Sequence, residues 1–394
     1  MTPSPHPPAP GATVRTHRTG GHRPGSARDL GFLLCRHRYH VTGGGRVAEF
    51  SSPPAAASAL ASGAVPAVVG AIPFDTADPA ALFTPARIAI HRSPWHPELP
   101  VLPTARIAHR DPTPEEHRAR VAATVTALSD PATDLAKVVL ARSLTVRTDA
   151  AVTGTELAAA LRRADPRGSV FLTDLSPAGG AHLGARFVGA SPEVLIRKQG
   201  TTISAHPLAG SAARSADPAV DARRGRELGA STKDLAEHRY VVDALRTALR
   251  PLCASLDIPD SPQVMTTPAM WHLGTPIRGE VADSSLTALD LALAVHPTPA
   301  ICGTPTAAAR EYILRTEGER GFYAGAVGWA RRAEDGTGGD GEWMVSIRCA
   351  EIAPDGRSAT TWAGGGIVAA SDPDAEVRET EAKFATILRT FGLA

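Results

Sequence analysis

Strand-forming runs in this chain come in clusters, and the helices between them are few and long. Val65 to Phe74 (VPAVVGAIPF) reads as a buried strand leading into a turn at Asp75. Lys137 to Val146 (KVVLARSLTV) is rich in β-branched residues, and further strands recur at 168–173, 184–188 and 193–198. The last of these passes a Gln199-Gly200 turn into a partner beginning Thr201-Thr202-Ile203, a hairpin signal. A helix over 113–129 is marked by Thr113 and Pro114 at its start and by Glu115 and Glu116 in its first turn. Others are expected at 154–163, 217–250 and 373–390, with strands near 321–330, 342–353 and 359–368. A doubly wound nucleotide-binding sheet needs regular βαβ alternation and a GxGxxG turn, and neither is present. The pattern predicts an α+β fold: one large domain with large, mainly antiparallel sheets flanked by helices.

Composition narrows the function. The hydrophobic fraction of 43% and charged fraction of 21% are those of an ordinary globular chain. A net charge of +1 gives no footprint for nucleic acid or an anionic membrane surface. Cys35, Cys253, Cys302 and Cys349 lack CxxC spacing, so free thiols in a reducing compartment are expected. The N-terminus lacks the basic start and apolar core of a secretory leader. No apolar run reaches the roughly 20 residues that span a bilayer, so a cytoplasmic protein with no membrane partner is expected. Residues 1–29 are rich in Pro, Gly, His and Arg and read as a disordered tail, with the ordered domain running over 30–394.

Two helices carry matching acids. At about 100° per residue, Asp234 shares a face with Val241, Val242, Leu245 and Leu249, and Glu237 sits at its edge. In the last helix Glu376 shares a face with Lys383, Phe384, Ile387 and Phe391, and Glu379 sits at the edge. Glu381 falls on the opposite, solvated side. One explanation is favourable charge at a helix N-terminus, which suits Asp374 and Glu376 after Asp372-Pro373. The other is a shared divalent cation, for which an all-oxygen carboxylate set favours magnesium.

Two further residues are candidates for proton transfer. Lys137 opens a strand whose alternate positions are Val139 and Ala141, so its ammonium points into a sheet face or snorkels from a strand end. A lysine held away from water can serve as a general base. Glu193 precedes the apolar run Val194-Leu195-Ile196, either as a surface strand-start residue or as a partly buried proton donor.

Taken together these residues resemble the chorismate-utilising enzymes, and most closely the isochorismate synthases of 2,3-dihydroxybenzoate (siderophore) pathways. The resemblance is carried by Lys137-Val-Val-Leu-Ala-Arg142, Gly189-Ala-Ser-Pro-Glu193, Pro207-Leu-Ala-Gly-Ser-Ala212, Lys233-Asp-Leu-Ala-Glu-His238 and Trp271-His-Leu-Gly-Thr-Pro276. It continues through His296-Pro-Thr-Pro-Ala300, Ile347-Arg-Cys-Ala350, Ala363-Gly-Gly-Gly-Ile-Val368 and Arg378-Glu-Thr380. These motifs cover about residue 134 to the C-terminus, and a weaker match at Val68-Val-Gly-Ala-Ile-Pro-Phe-Asp75 extends it toward residue 31.

The resemblance implies a single chorismate-binding domain of the anthranilate synthase component I type. It implies that Lys137 activates water for attack on ring carbon 2 and that Glu193 protonates the departing 4-hydroxyl. Glu237 and Glu379 take the positions of direct magnesium ligands, with Asp234 and Glu376 holding metal-bound waters. Gly210 and Ser211 offer backbone amides to the ring carboxylate. Arg348, Lys383 and the amides near Gly364 match the positions that hold the enolpyruvyl carboxylate. A bulged strand edge is the plainer reading of the 364–366 glycines. Lys137 favours water over ammonia as nucleophile, so no glutaminase subunit is implied, and a monomer is expected. Ala209 stands where aminodeoxychorismate synthases carry a nucleophilic lysine. Gly274 stands where isochorismate synthases carry alanine, and salicylate synthases share the base, acid and metal set.

Overall fold

The β-branched run that opens at Lys137 forms the longest strand among the described residues, Lys137–Thr148, and the fold is organised around it. The structure is a computed structural model and describes residues 30–267 and 270–394; the tail read at 1–29 lies outside the described residues. Lys137–Thr148 pairs along one side with Ser358–Ile367. On its other side it meets the two-residue strand Gly303–Thr304 and then Ala105–Asp111. Cys349–Ile352, Arg186–Gly189, Val170–Asp174, Phe32–Cys35, His40–Gly44 and Arg87–His91 complete a ten-stranded sheet. A second sheet of nine strands is centred on Val194–Gln199, Gly341–Val345 and Ala326–Arg331. A small third sheet joins Leu208–Ala213, Met270–Gly274 and Gln263–Thr266. The paired strands are antiparallel throughout, as an α+β fold with large antiparallel sheets requires.

One contiguous core draws on both large sheets, from Phe32 and Phe187 of the first to Val69 and Trp343 of the second. A second cluster packs the helices Gly154–Ala164 and Pro373–Leu388 on the first sheet through Leu157, Leu161, Phe384 and Ile387. The Thr113/Glu116 pair forms a reciprocal cap on the helix Pro114–Leu128, satisfying amides that would otherwise lack partners. All four cysteines are free, and Cys35, Cys302 and Cys349 are buried. Among the described residues no helix is long and apolar enough to cross a membrane.

The helices Pro53–Ala61, Ala288–Val295 and Thr306–Glu317 were not expected, and two expected elements form differently in ways that shape the cavity. The single helix expected over 217–250 is two, Pro218–Ala230 and Thr232–Leu249. Ser231 adopts an extended conformation between them, and its hydroxyl accepts the Asp234 amide at 3.2 Å. That cap starts a new helix at the turn bearing Asp234 and Glu237. The strand expected over 342–353 is also two, Gly341–Val345 and Cys349–Ile352, which belong to different large sheets. The chain crosses between sheets at Ser346-Ile347-Arg348, with Arg348 in the left-handed region at φ 51°.

Candidate active site

The crossing places Arg348 in the wall of a cavity between the two large sheets and the small one. Glu193, Gly210, Ser211, Asp234, Glu237, Arg348, Gly364, Glu379 and Lys383 all line it. Lys137 and Glu376 lie immediately behind that wall. Lys137 is fully buried, with Nζ 2.9 Å from Glu237 Oε1 but out of hydrogen-bond alignment. Glu376 is buried too, accepting from Ser371 Oγ at 2.8 Å and facing Lys233 Nζ at 3.3 Å. Eleven residues proposed from positions 137 to 383 are thus drawn into one neighbourhood by seven separate stretches of chain.

The glycine run is explained by what lies against it. A Cβ on Gly366 would stand 2.5 Å from Glu237 Oε1 and 2.8 Å from Lys137 Cε, and one on Gly365 would stand 2.8 Å from Glu376 Oε2. The bulged-edge reading is corrected: register with the Lys137 strand is continuous from Ser358 to Ile367, and the strand is internal to the sheet. The bare backbone is what lets the acids of two helices approach it. Gly210 is different, because at φ 80° its conformation itself favours glycine.

The charges are arranged as crossed pairs. Lys383 Nζ lies 2.5 Å from Glu379 Oε1 and donates to Gly364 O at 2.8 Å, while Ser211 Oγ donates to Glu379 Oε1 at 3.1 Å. Burial pushes the Glu379 carboxyl up, but the charge and hydrogen bond of Lys383 and the Ser211 hydroxyl outweigh it and hold it below the usual range. Asp234 moves upward, first through burial and then through the negative charges of Glu237 and Glu379. Glu376 is also raised, by burial and by Glu379, and its Oε2 has no hydrogen-bond partner. Mutually repelling carboxylates with an orphaned buried oxygen suit a hard divalent cation. They do not form a finished cage: no group of three or more His, Cys, Asp or Glu side chains converges on one point among the described residues. Lys137, Lys233 and Lys383 instead pair with Glu237, Glu376 and Glu379.

Glu193 fits the role of a proton donor closely. It is buried, its Oε1 accepts the Leu208 amide at 3.4 Å, and burial pushes its carboxyl up to about 8 against the opposing pull of that amide, Lys137 and Arg348. The raised value has a thermodynamic consequence. Between the ordinary carboxyl value and about 8, the folded protein holds a proton that the unfolded chain releases, so this group's contribution to stability falls as pH rises. Glu193→Gln should therefore gain melting temperature relative to the parent between pH 5 and 8.5. Thermal melts at several pH values test this; a constant difference across the range would refute it.

Some expectations need correction or addition. Glu381 is not simply solvated: its Oε1 pairs with Arg142 at 2.6 Å and Arg110 at 3.1 Å. Arg142 is itself buried, donates to Thr380 Oγ1 at 2.9 Å and lies over the Phe384 ring, so it ties the Lys137 strand to the C-terminal helix. Gly274 is not a cavity residue; a Cβ there would meet Met265, His206 and Leu208 at 2.7 to 2.9 Å, so its departure from alanine answers packing. The sequence reading missed Lys233, His272, Tyr323 and Trp362, which also line the cavity. Tyr323 and Trp362 stack at 6.0 Å, and His272 is pushed down to about 3 by burial and by Arg348 and Lys383, so it is neutral. Lys233, His272 and Trp362 lie in or beside the quoted motifs, which were the available signal.

This cavity and fold define the chain as a chorismate-binding enzyme: the sequence model of the chorismate binding enzyme family matches residues 87–392, and the chain belongs to that family. Its relatives carry a more particular name. A Mycobacterium tuberculosis (strain ATCC 25618 / H37Rv) protein provisionally named isochorismate synthase MenF is 47% identical over 363 residues, covering 92% of this chain and 96% of that protein. Isochorismate synthase DhbC of Bacillus subtilis (strain 168) is 42% identical over 343 residues, covering 83% and 81%. Among solved structures, a Bacillus anthracis protein provisionally titled a 2,3-dihydroxybenzoate-specific isochorismate synthase, DhbC, superposes with a TM-score of 0.82 at 35% identity, covering 94% of this chain and 98% of that one.

Proposed function

We propose that this chain is an isochorismate synthase that adds water at carbon 2 of chorismate and expels the 4-hydroxyl, in a reversible, magnesium-dependent isomerisation. The observation that carries the reading is Glu193: a buried carboxyl that keeps its proton near neutral pH, beside the charges of Lys137 and Arg348, in a cavity also lined by Asp234, Glu237, Glu379 and Lys383. Such a group is poised to donate a proton to a leaving oxygen. Lys137 opens a first-sheet strand and lies just behind the cavity wall, while Glu193 lines the cavity from the start of a second-sheet strand, and in this reading base and acid act on the ring from different sides. Lys137 takes one proton from the attacking water and Glu193 gives one to the departing 4-oxygen; one water enters and one leaves. Arg348 and Lys383 hold the enolpyruvyl carboxylate, the former as a two-pronged guanidinium. The Gly210 and Ser211 amides meet the ring carboxylate.

A magnesium ion held by Glu237 and Glu379, with Asp234 and Glu376 behind them through water, would supply Lewis-acid pull on the ring carboxylate. The carboxylates fit that role once Lys137 and Lys383 turn toward substrate. Water as nucleophile leaves no task for a glutaminase subunit, and Ala209 in the cavity wall leaves none for a covalent lysine intermediate. The reading is of a monomeric cytoplasmic enzyme whose product feeds synthesis of aryl acids, siderophores among them. Chorismate incubated with the purified chain and Mg²⁺ should give isochorismate, resolved by liquid chromatography. Accumulation of salicylate and pyruvate would replace this reading with that of a salicylate synthase, and aminated product on adding ammonium would replace it with an ammonia-using one.

A further inference from the structure

The Lys137 strand has a gap in its outer edge. Strand Gly303–Thr304 pairs only as far as Val138, and strand Ala105–Asp111 takes over only at Ser143. The Val139 amide finds Cys302 O at 2.8 Å, but the Val139 carbonyl and the Ala141 amide face the gap with no strand opposite them. Two side chains close it. Arg320 Nη2 donates to Val139 O at 2.6 Å, and Glu317 Oε1 accepts the Ala141 amide at 2.6 Å. Arg320 and Glu317 are joined to each other by Nε to Oε2 at 2.8 Å and Nη2 to Oε1 at 3.0 Å. Together they present an acceptor and a donor as a neighbouring strand would.

We propose that the Arg320–Glu317 pair is a positioning pair for the base-bearing strand, an inference that rests on the isochorismate synthase reading for its kinetic consequences. The remaining guanidinium nitrogen shows what else is held. Nη1 donates to Ile301 O at 3.0 Å, and both Ile301 and Val139 line the cavity. Val139 is two residues from Lys137, and side chains two apart in a strand share a face. One guanidinium thus fixes the strand carrying the base and the apolar wall of the loop opposite it. The guanidinium is fixed in turn: it lies 4.6 Å over the Phe74 ring, whose residue donates its amide to Gly321 O at 2.9 Å. Gly303 makes the approach possible, since a Cβ there would stand 2.2 Å from Lys137 O.

A buried ion pair is a poor device for stability alone, because desolvation offsets most of its attraction. It is a good device for geometry, because planar Arg offers forked donors that a lysine cannot reproduce. Misplacing a reacting group by about 1 Å can cost about 10²-fold in rate, so Arg320→Lys should lower kcat by about that factor. KM for chorismate should stay near the parent value, because Arg348 and Lys383 sit on other elements. Glu317→Ala should lower kcat in the same way, and Glu317→Gln, which retains an acceptor for the Ala141 amide, should restore most of it.

The measurements are kcat and KM for the three variants, together with hydrogen exchange at the Ala141 amide. In Glu317→Ala that amide should exchange faster while Leu140, on the side paired with Gly365, stays protected. Glu317→Gln should keep both protected and provides the answer if the alanine variant does not fold. Lowered melting temperature with parental kcat in every variant would overturn the proposal, as would a raised KM with unchanged kcat. If the parent makes no isochorismate, the functional reading fails by itself, and the exchange result still decides: local release of Ala141 supports the anchoring, and unchanged exchange refutes it.

Discussion

Lys137→Ala and Glu193→Gln should each lower kcat for isochorismate formation by about 10²–10⁴-fold, the usual contribution of a positioned general base or acid. The two groups cannot substitute for each other. The hydroxyl is lost at carbon 4 and gained at carbon 2, so one proton must be removed and another delivered at separate points on the ring. Substrate binding should survive both changes, because Arg348 and Lys383 remain in the cavity wall. Losing Lys137 also leaves Glu237 without its ion-pair partner, so the variant's fold should be checked by circular dichroism before its rate is read. If base and acid act as a unit, the double variant should be far less than multiplicatively impaired. In the parent, oxygen-18 from solvent should enter the product at carbon 2. A fall of less than tenfold in both single variants, or a new hydroxyl carrying no solvent oxygen, would remove Lys137 and Glu193 from these roles.

What the sequence made legible follows from the range of the interactions involved. The hairpin at Gln199-Gly200 and the capped helix at Thr113 depend on residues within a few positions of one another, and both form where expected. The faces of the two acid-bearing helices were readable for the same reason, since helical periodicity is local. The break at Ser231 was missed although Gly229 lies two residues before it, because a serine cap inside a helical run competes only weakly with continuation. The crossing at Ser346–Arg348 was not read: Ser346 and Arg348 interrupt the apolar run, but nothing local states that its halves belong to different sheets. Site chemistry divides the same way. The acids were visible by spacing, and so was Lys383 four residues beyond Glu379 on the same helix, whereas the pairing of Lys137 with Glu237 across 100 positions and of Lys233 with Glu376 is set by tertiary approach. Arg142 lay in a quoted motif, yet its hold on Thr380 and Glu381 depends on how the last helix docks.

Removal of divalent metal should abolish turnover, and Mg²⁺ should restore it. Asp234, Glu237 and Glu379 line the cavity and Glu376 lies just behind its wall; Asp234 and Glu376 are pushed toward their neutral forms by burial and by neighbouring negative charge. A cation that bound them would relieve that repulsion and would stabilise the folded protein over the unfolded chain, which has no assembled site. Mass action sets the size of the effect: at about 100 times the dissociation constant the gain is about 2.7 kcal/mol. Mg²⁺ should accordingly raise the melting temperature in a concentration-dependent way, with no substrate present. Glu379→Ala should remain folded, because Lys383 keeps its bond to Gly364 O, but should lose both the magnesium-dependent melting shift and activity. The melting shift separates cation binding from catalysis, which a rate measurement alone cannot do. Undiminished turnover in EDTA, or an equal magnesium shift in the parent and in Glu379→Ala, would show that these carboxylates do not hold a catalytic cation, and the lysine pairs would then be their permanent partners.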